Sequence, residues 1–283
     1  MKKTRHLTKE QIAEYHSNGF IIVPNLFDLE EIQPLYTACE KYPDIWAAES
    51  YYKNSDGSSN SFVCYSHLSD SLLGVFPRIA RMVDSVEAIL GEESYHFHSK
   101  LVRKKAYSKS NLDWHQDYGT WYHYGCIFPD LITCGIAITD ITRENGCMQV
   151  VKKSHLLGLL KHMRLGDSEV TDPERIQKVL DKLEIVFCEM KAGDALFFHA
   201  NLLHRSTPNY TNKMRIIFHC TYNRMSNEPY KEEWKAHHSY QPLNKLSDLA
   251  IREGHYNGIF NQQDFFQAEN EEDKGIGLAY SKF

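Results

Sequence analysis

The sequence predicts a mainly β protein with flanking helices, its strands arranged as an antiparallel sandwich or barrel. Two observations lead there. Between about 93 and 225 the chain alternates short apolar runs, rich in Val, Ile, Phe and Thr, with turn residues. Ahead of them, over about 1–92, the apolar residues instead recur mostly at helical spacing. The bulk composition is that of an ordinary globular chain. Of 283 residues, 42% are hydrophobic and 24% charged, which excludes disorder, collagen and coiled coil as whole-chain descriptions.

Thr8 and Gln11 form a capping-box pattern and Gly19 supplies a stop, so a first helix is expected over 9–18. Residues 20–23 read as a strand ended by Pro24, and Asp28 with Glu31 opens a second helix to about Lys41. The NSDGSSNS stretch, 54–61, reads as a polar loop; 69–90 carries helical periodicity up to Gly91. Strands are expected over 95–102, 131–138, 147–151 (after the Asn145-Gly146 turn) and 214–222. Residues 183–190 and 195–199, joined by a turn at 191–194, read as a hairpin. Asp172 as N-cap with Pro173 at the first helical position starts a helix to about Lys182. No repeat or linker divides the chain, so 1–283 is read as one domain, with a polar, aromatic extension over about 226–283.

Acids outnumber bases 37 to 32, and no Lys/Arg cluster offers itself to phosphates, so no nucleic-acid partner is expected. No apolar run spans a bilayer, and the charged N-terminus leads into no signal-like stretch; a cytoplasmic protein without a membrane partner is expected. Seven cysteines, an odd number with no CxxC pair, argue against a disulfide framework or a cysteine zinc site.

The sharpest local signal is Trp114-His115-Gln116-Asp117. On an extended chain, His115 and Asp117 project to one side, where both can ligate one metal ion. His204, after the strand expected at 195–199, supplies a third ligand, and two imidazoles with one carboxylate suit non-haem Fe(II). An HxD alone is common without any metal, with Gln116 a mere spacer. Arg215, on the next expected strand, sharpens the reading. A buried guanidinium needs an anion, either a dicarboxylate co-substrate or a protein acid. His199 competes with His204 for the third position; His204 is preferred because Ser206 and Arg215 follow it, and His199 is read as structural or as a neighbour of the ligands.

The run Trp114 to Tyr122, with Asn145-Gly146-Cys147-Met148-Gln149-Val150, Lys153-Ser154-His155, His204-Arg205-Ser206 and Arg215, resembles the phytanoyl-CoA dioxygenase family, which includes the ectoine hydroxylases. The resemblance covers about 10–225. It implies a double-stranded β-helix (jelly-roll, cupin-like) core and an Fe(II)- and 2-oxoglutarate-dependent dioxygenase. Such an enzyme uses O2 to hydroxylate an aliphatic C–H of a small molecule, releasing succinate and CO2. Matched position by position, the iron ligands fall on His115, Asp117 and His204, and the 2-oxoglutarate contacts on Arg215, Ser206, Thr133 and Lys100. Trp121 matches a substrate-side aromatic, and Tyr118 and His98 are assigned with it to the substrate side. Ile217 stands where the ectoine enzymes carry a substrate-binding amide, which counts against ectoine. Asp117 fills the position a halogenase leaves open for chloride.

Tyr118, Trp121, Tyr122, His123 and Tyr124 form an aromatic cluster that serves either as core or as a pocket wall. Lys100 is the member of the basic group at 100–105 expected to point inward, and Asn145-Gly146 is read as a structural turn between core strands. Two rival functions are a cupin-type dioxygenase without a keto acid, which leaves Arg215 without a partner, and a jelly-roll metal-binding protein without turnover.

Overall fold

In the computed structural model, which describes residues 6–54, 56–238 and 240–261, the N-terminal helix forms where its caps place it. Helix α1 (Lys9–Asn18) starts at Thr8, whose backbone N–H donates to the Gln11 side chain at 2.9 Å while its hydroxyl accepts from the Gln11 N–H at 3.3 Å. Strand β1 (Phe20–Val23) follows, then α2 (Leu29–Lys41), whose cap has the Asp28 N–H on Glu31 at 2.8 Å, and α3 (Pro43–Ala47).

Strands β2 (Ser50–Lys53) and β3 (Ser59–Tyr65) form a hairpin, which corrects the reading of 54–61 as wholly loop. The polar residues there satisfy one another: the Asn54 amide donates to Ser58 Oγ at 2.8 Å, and Asn60 donates to Asn54 at 3.0 Å. The periodic stretch 69–90 divides into α4 (Leu72–Val75), a 3-10 turn (Phe76–Arg78) and α5 (Ala80–Leu90). Pro77, with no N–H to donate, sits at the break.

The β-rich region comprises β4 (Ser94–Lys104), β5 (Leu112–His115), α6 (Asp117–Tyr124), β6 (Leu131–Ala137), β7 (Met148–Val151), β8 (His162–Leu165), β9 (Ser168–Thr171), α7 (Pro173–Leu180), β10 (Ile185–Cys188), β11 (Ala195–His199), β12 (His204–Ser206) and β13 (Arg215–Arg224); α8 (Glu232–His238) follows. A seven-stranded sheet runs β1-β11-β6-β13-β4-β3-β2 and a four-stranded sheet β10-β7-β12-β5, with every pairing antiparallel. This is the jelly-roll core. Strands β10 and β11 do not form the expected hairpin; the 191–194 turn carries the chain from the small sheet to the large one.

Alternation along β13 divides its side chains between two environments. Ile216, Phe218 and Cys220 join Ile32, Leu35, Val83 and Val86 in the core between the large sheet and the helices. Arg215, Ile217, His219 and Thr221 face the space between the sheets. One end of that space is filled by Ala137, Met148, Val150, Leu196, Phe198 and Ile217; the other stays open as a cavity. The β8–β9 hairpin docks onto the β2–β3 turn, with Ser168 Oγ donating to Asn54 Oδ1 at 2.8 Å, and its residues 167–169 line the cavity. All seven cysteines are buried and unpaired, and among the described residues no helix is long and apolar enough to cross a membrane. Of the C-terminal extension, residues 262–283 lie outside the described residues.

Candidate metal centre

His115 ends β5 and His204 begins β12, and the two strands place them directly opposite each other with ring centroids 4.1 Å apart. Asp117 is the first residue of α6, not part of an extended run as the sequence suggested. Gln116 alone keeps extended backbone (φ −114°, ψ 130°), which is enough to bring the carboxylate back beside His115. Asp117 lies 3.9 Å from His115 Nε2 through one oxygen and 4.0 Å from His204 Nε2 through the other. The three ligand atoms all lie within 4.8 Å of one another.

The hydrogen bonds of the two rings fix their tautomers. His115 Nδ1 donates to the Asp113 carbonyl at 2.8 Å and His204 Nδ1 to the Leu202 carbonyl at 2.9 Å. With Nδ1 so engaged, each ring turns its Nε2 toward Asp117. Burial, reinforced by His204, holds His115 neutral by pushing its pKa down to about 3. Burial works to raise Asp117, but His204, Lys100 and the other imidazoles outweigh it and hold the carboxyl below its ordinary value. Two imidazoles that turn Nε2 inward, with a carboxyl held below its ordinary value, are a donor set that suits a divalent cation, so the residues fit Fe(II).

Gln116 is more than a spacer. Its side-chain amide donates to the carbonyls of Gly158 and Asn201, both at 2.8 Å, and its oxygen accepts from the Leu160 N–H at 2.8 Å. Its backbone N–H donates to His162 Nε2 at 3.0 Å. These bonds clamp the β5–α6 turn, and with it the spacing of His115 and Asp117. Gln116 escapes sequence reading because its partners lie more than forty positions away.

The triad lines a cavity of about 190 Å³ that also holds every expected 2-oxoglutarate contact: Arg215, Ser206, Thr133 and Lys100. Arg215, 4% exposed, donates from one terminal nitrogen to the Gly146 carbonyl at 3.1 Å; its Nε has no partner. No protein acid neutralises it among the described residues, and burial depresses its pKa to about 10. The alternative of a structural salt bridge is therefore not realised. Opposite it across β13 and β4 stands Lys104, buried, donating to the carbonyls of Ser110 and Thr207 and depressed by burial and by Arg215. The Asn145-Gly146 turn contributes to this end: Gly146 (φ 84°) presses against Thr207, where a Cβ would lie 2.3 Å from the carbonyl oxygen, and it gives Arg215 its acceptor. Thr133 shares a 2.9 Å hydrogen bond with Thr221, and the Lys100 ammonium lies 5.3 Å from the Phe62 ring centre.

The substrate-side expectations fare differently. Trp121, Tyr118 and His98 do not line the cavity. Trp121, 1% exposed, packs edge-on against Phe97 and His98 with ring centres 5.5 and 5.6 Å away, and Tyr118 donates its hydroxyl to the carbonyls of Cys126 and Ile127. His98 is buried among Phe97, Trp121 and His238. The cause is helix α6: winding the chain after Asp117 turns these rings into a core with Tyr95, Tyr124 and Leu131. The polar groups that do line the cavity beside the triad include Thr120, Glu169, His219 and Thr221; Glu169 lies on the unforeseen β8–β9 hairpin. His199 is not in the cluster of metal-competent groups; its Nδ1 accepts from the Asn201 N–H at 2.9 Å.

The phytanoyl-CoA dioxygenase profile matches residues 15–217. Among curated proteins, an ectoine dioxygenase of Bordetella bronchiseptica is 27% identical over 275 residues, covering 87% of this chain and 88% of its own. An L-proline trans-4-hydroxylase of Streptomyces griseoviridis is 28% identical over 180 residues, covering 58% and 67%. Among solved structures, EctD from S. alaskensis with 2-oxoglutarate and 5-hydroxyectoine superposes with a TM-score of 0.70 at 21% identity, covering 87% of this chain and 89% of that one.

Proposed function

Because the chain belongs to the phytanoyl-CoA dioxygenase family, we propose that it is an Fe(II)- and 2-oxoglutarate-dependent dioxygenase that hydroxylates an aliphatic C–H of a small polar molecule. One observation carries the reading. A cavity of about 190 Å³ joins His115, His204 and Asp117 to two buried basic side chains, Arg215 and Lys104, that have no acid partner among the described residues. That combination suits a metal ion and a dianionic chelator held together.

His115, Asp117 and His204 would hold the iron. Bound iron and 2-oxoglutarate supply the oxidising chemistry, in which O2 and the keto acid are consumed and succinate and CO2 released. Arg215 receives the distal carboxylate with its planar fork, Ser206 adds a hydroxyl, and Lys104 adds positive potential behind them. Lys100 and Thr133 flank the same space. The aromatic core behind α6 and the apolar packing at the closed end keep bulk water from the reacting face. The cavity's size, and the charged and polar side chains set in its mostly apolar lining, favour a small polar substrate over a bulky thioester.

The test is succinate release from 2-oxoglutarate by the iron-loaded protein, with and without O2 and iron. The expected result is release that requires both. A protein that binds iron and 2-oxoglutarate yet never forms succinate is the binding protein without turnover, and one that consumes O2 without 2-oxoglutarate is the cupin-type rival.

A further inference from the structure

One charged group in the cavity remains without a role. Glu169, on β9, lines the cavity beside the triad. One of its carboxylate oxygens accepts from the Thr120 hydroxyl. The other, Oε1, is buried and has no hydrogen-bond partner. The nearby bases are engaged elsewhere: Arg164 faces Asp167 at 3.6 Å, and the Lys100 ammonium sits over the Phe62 ring. A half-satisfied buried carboxylate is costly unless something completes it. Burial drives the Glu169 carboxyl up to about 7 despite the Thr120 hydrogen bond and the pull of Arg164 and Lys100, the mark of an acid that lacks a cation.

Its placement has a direction. Thr120 lies three residues after Asp117 on α6, so the two side chains face the cavity one helical turn apart. The Thr120 hydroxyl thus ties the Glu169 carboxylate, in the lining of the same cavity, to the helix that begins at Asp117. Tyr52 and Phe62, stacked with ring centres 4.9 Å apart, form an apolar part of the cavity wall.

We propose that Glu169 receives a protonated amine of the prime substrate, so that the enzyme acts on small amine-bearing molecules and rejects their neutral counterparts. The proposal rests on the oxygenase reading and adds the group that selects the substrate. The ammonium donates to the Glu169 carboxylate in a charge-assisted hydrogen bond, which anchors the substrate in the cavity that the triad lines.

The test is calorimetric titration of the anaerobic Fe(II)–2-oxoglutarate enzyme with n-butylamine, pyrrolidine, cadaverine and L-proline methyl ester, each against its N-acetyl derivative. A charge-assisted hydrogen bond corresponds to roughly a ten- to hundredfold effect on affinity. At least one amine should therefore bind at least tenfold more tightly than its acetylated form. Glu169→Gln, which keeps an oxygen for Thr120, should abolish that preference and leave 2-oxoglutarate affinity within twofold. Glu169→Asp, which keeps the charge, should retain part of it. Binding of no amine, an equal preference in Glu169→Gln, or identical losses in the Gln and Asp variants would each overturn the role of Glu169. Failure of 2-oxoglutarate to bind the wild type is a separate result that counts against the oxygenase reading itself.

Discussion

Replacing Arg215 by Ala separates the two costs that a buried cation carries. In the absence of co-substrate, the guanidinium makes one hydrogen bond, to Gly146, and otherwise sits desolvated opposite Lys104. Removing it loses that bond, worth about 1 kcal/mol, and relieves a like-charge neighbour and an unpaired buried charge. The melting temperature of the protein without 2-oxoglutarate should therefore stay within a few degrees of wild type. With co-substrate the balance reverses, because the lost contact is a buried, forked ion pair. Breaking such a pair costs about 3–5 kcal/mol, on the order of a hundred- to several-thousand-fold in affinity. Arg215→Lys keeps the charge but loses the fork and should fall between. Iron affinity should survive both substitutions. Anaerobic titration of 2-oxoglutarate into iron-loaded wild type and variants, with melting curves alongside, reads all of these quantities. An unchanged 2-oxoglutarate affinity, or a large loss of stability with no selective effect on the co-substrate, would refute the assignment.

Other perturbations probe the surroundings. Gln116→Ala leaves the Leu160 N–H and the Gly158 and Asn201 carbonyls without their partner; it should cost about 2–4 kcal/mol of stability and lower iron affinity, as metal titration and denaturant melts would report. An unaltered melt would show that the clamp is dispensable. His96 is buried between the Ser66 carbonyl and Ser99 Oγ, and burial drops its pKa from 6.5 to about 3. Below pH 6.5 the unfolded chain takes up a proton there that the folded chain refuses, so stability falls as pH falls, by about 2 kcal/mol from this group between pH 6.5 and 5. His199, depressed to about 3 by burial and by His155, adds in the same direction. Urea midpoints at pH 7.5, 6 and 5 should decline, and His96→Gln should flatten the slope; a flat wild-type profile contradicts the buried neutral state.

Where the signal was local, the sequence was readable. Thr8 and Gln11, Asp28 and Glu31, and Asp172 with Pro173 each announce a helix start through chemistry within a few residues, and all three helices form. The residues of the candidate site are legible for a related reason: HxD is a short pattern, and Arg215 is conspicuous as a charge on an apolar strand. What failed is non-local. The β2–β3 hairpin is hidden because its polar residues bond to one another rather than to water. Helix α6 carries weak helix formers and owes its form to burial of Trp121 and Tyr124 against the β4 aromatics, which is why Trp121 and Tyr118 become core instead of pocket wall. Strands β10 and β11 look like a hairpin because a tight turn joins them, but pairing across sheets follows from which face each strand buries. Glu169 and Gln116 have no sequence signature, since each acquires its meaning from partners brought together only by folding.

Spectroscopy of the anaerobic protein tests the metal centre most directly. Adding 2-oxoglutarate to the Fe(II)-loaded wild type should produce the visible metal-to-ligand charge-transfer band of a keto acid chelated on facial-triad iron. His115→Ala, Asp117→Ala and His204→Ala should each lose it, while His199→Ala keeps it. A wild type that binds both components without the band, or a band that survives His204→Ala and vanishes in His199→Ala, would contradict the assignment of His115, Asp117 and His204 as the iron site.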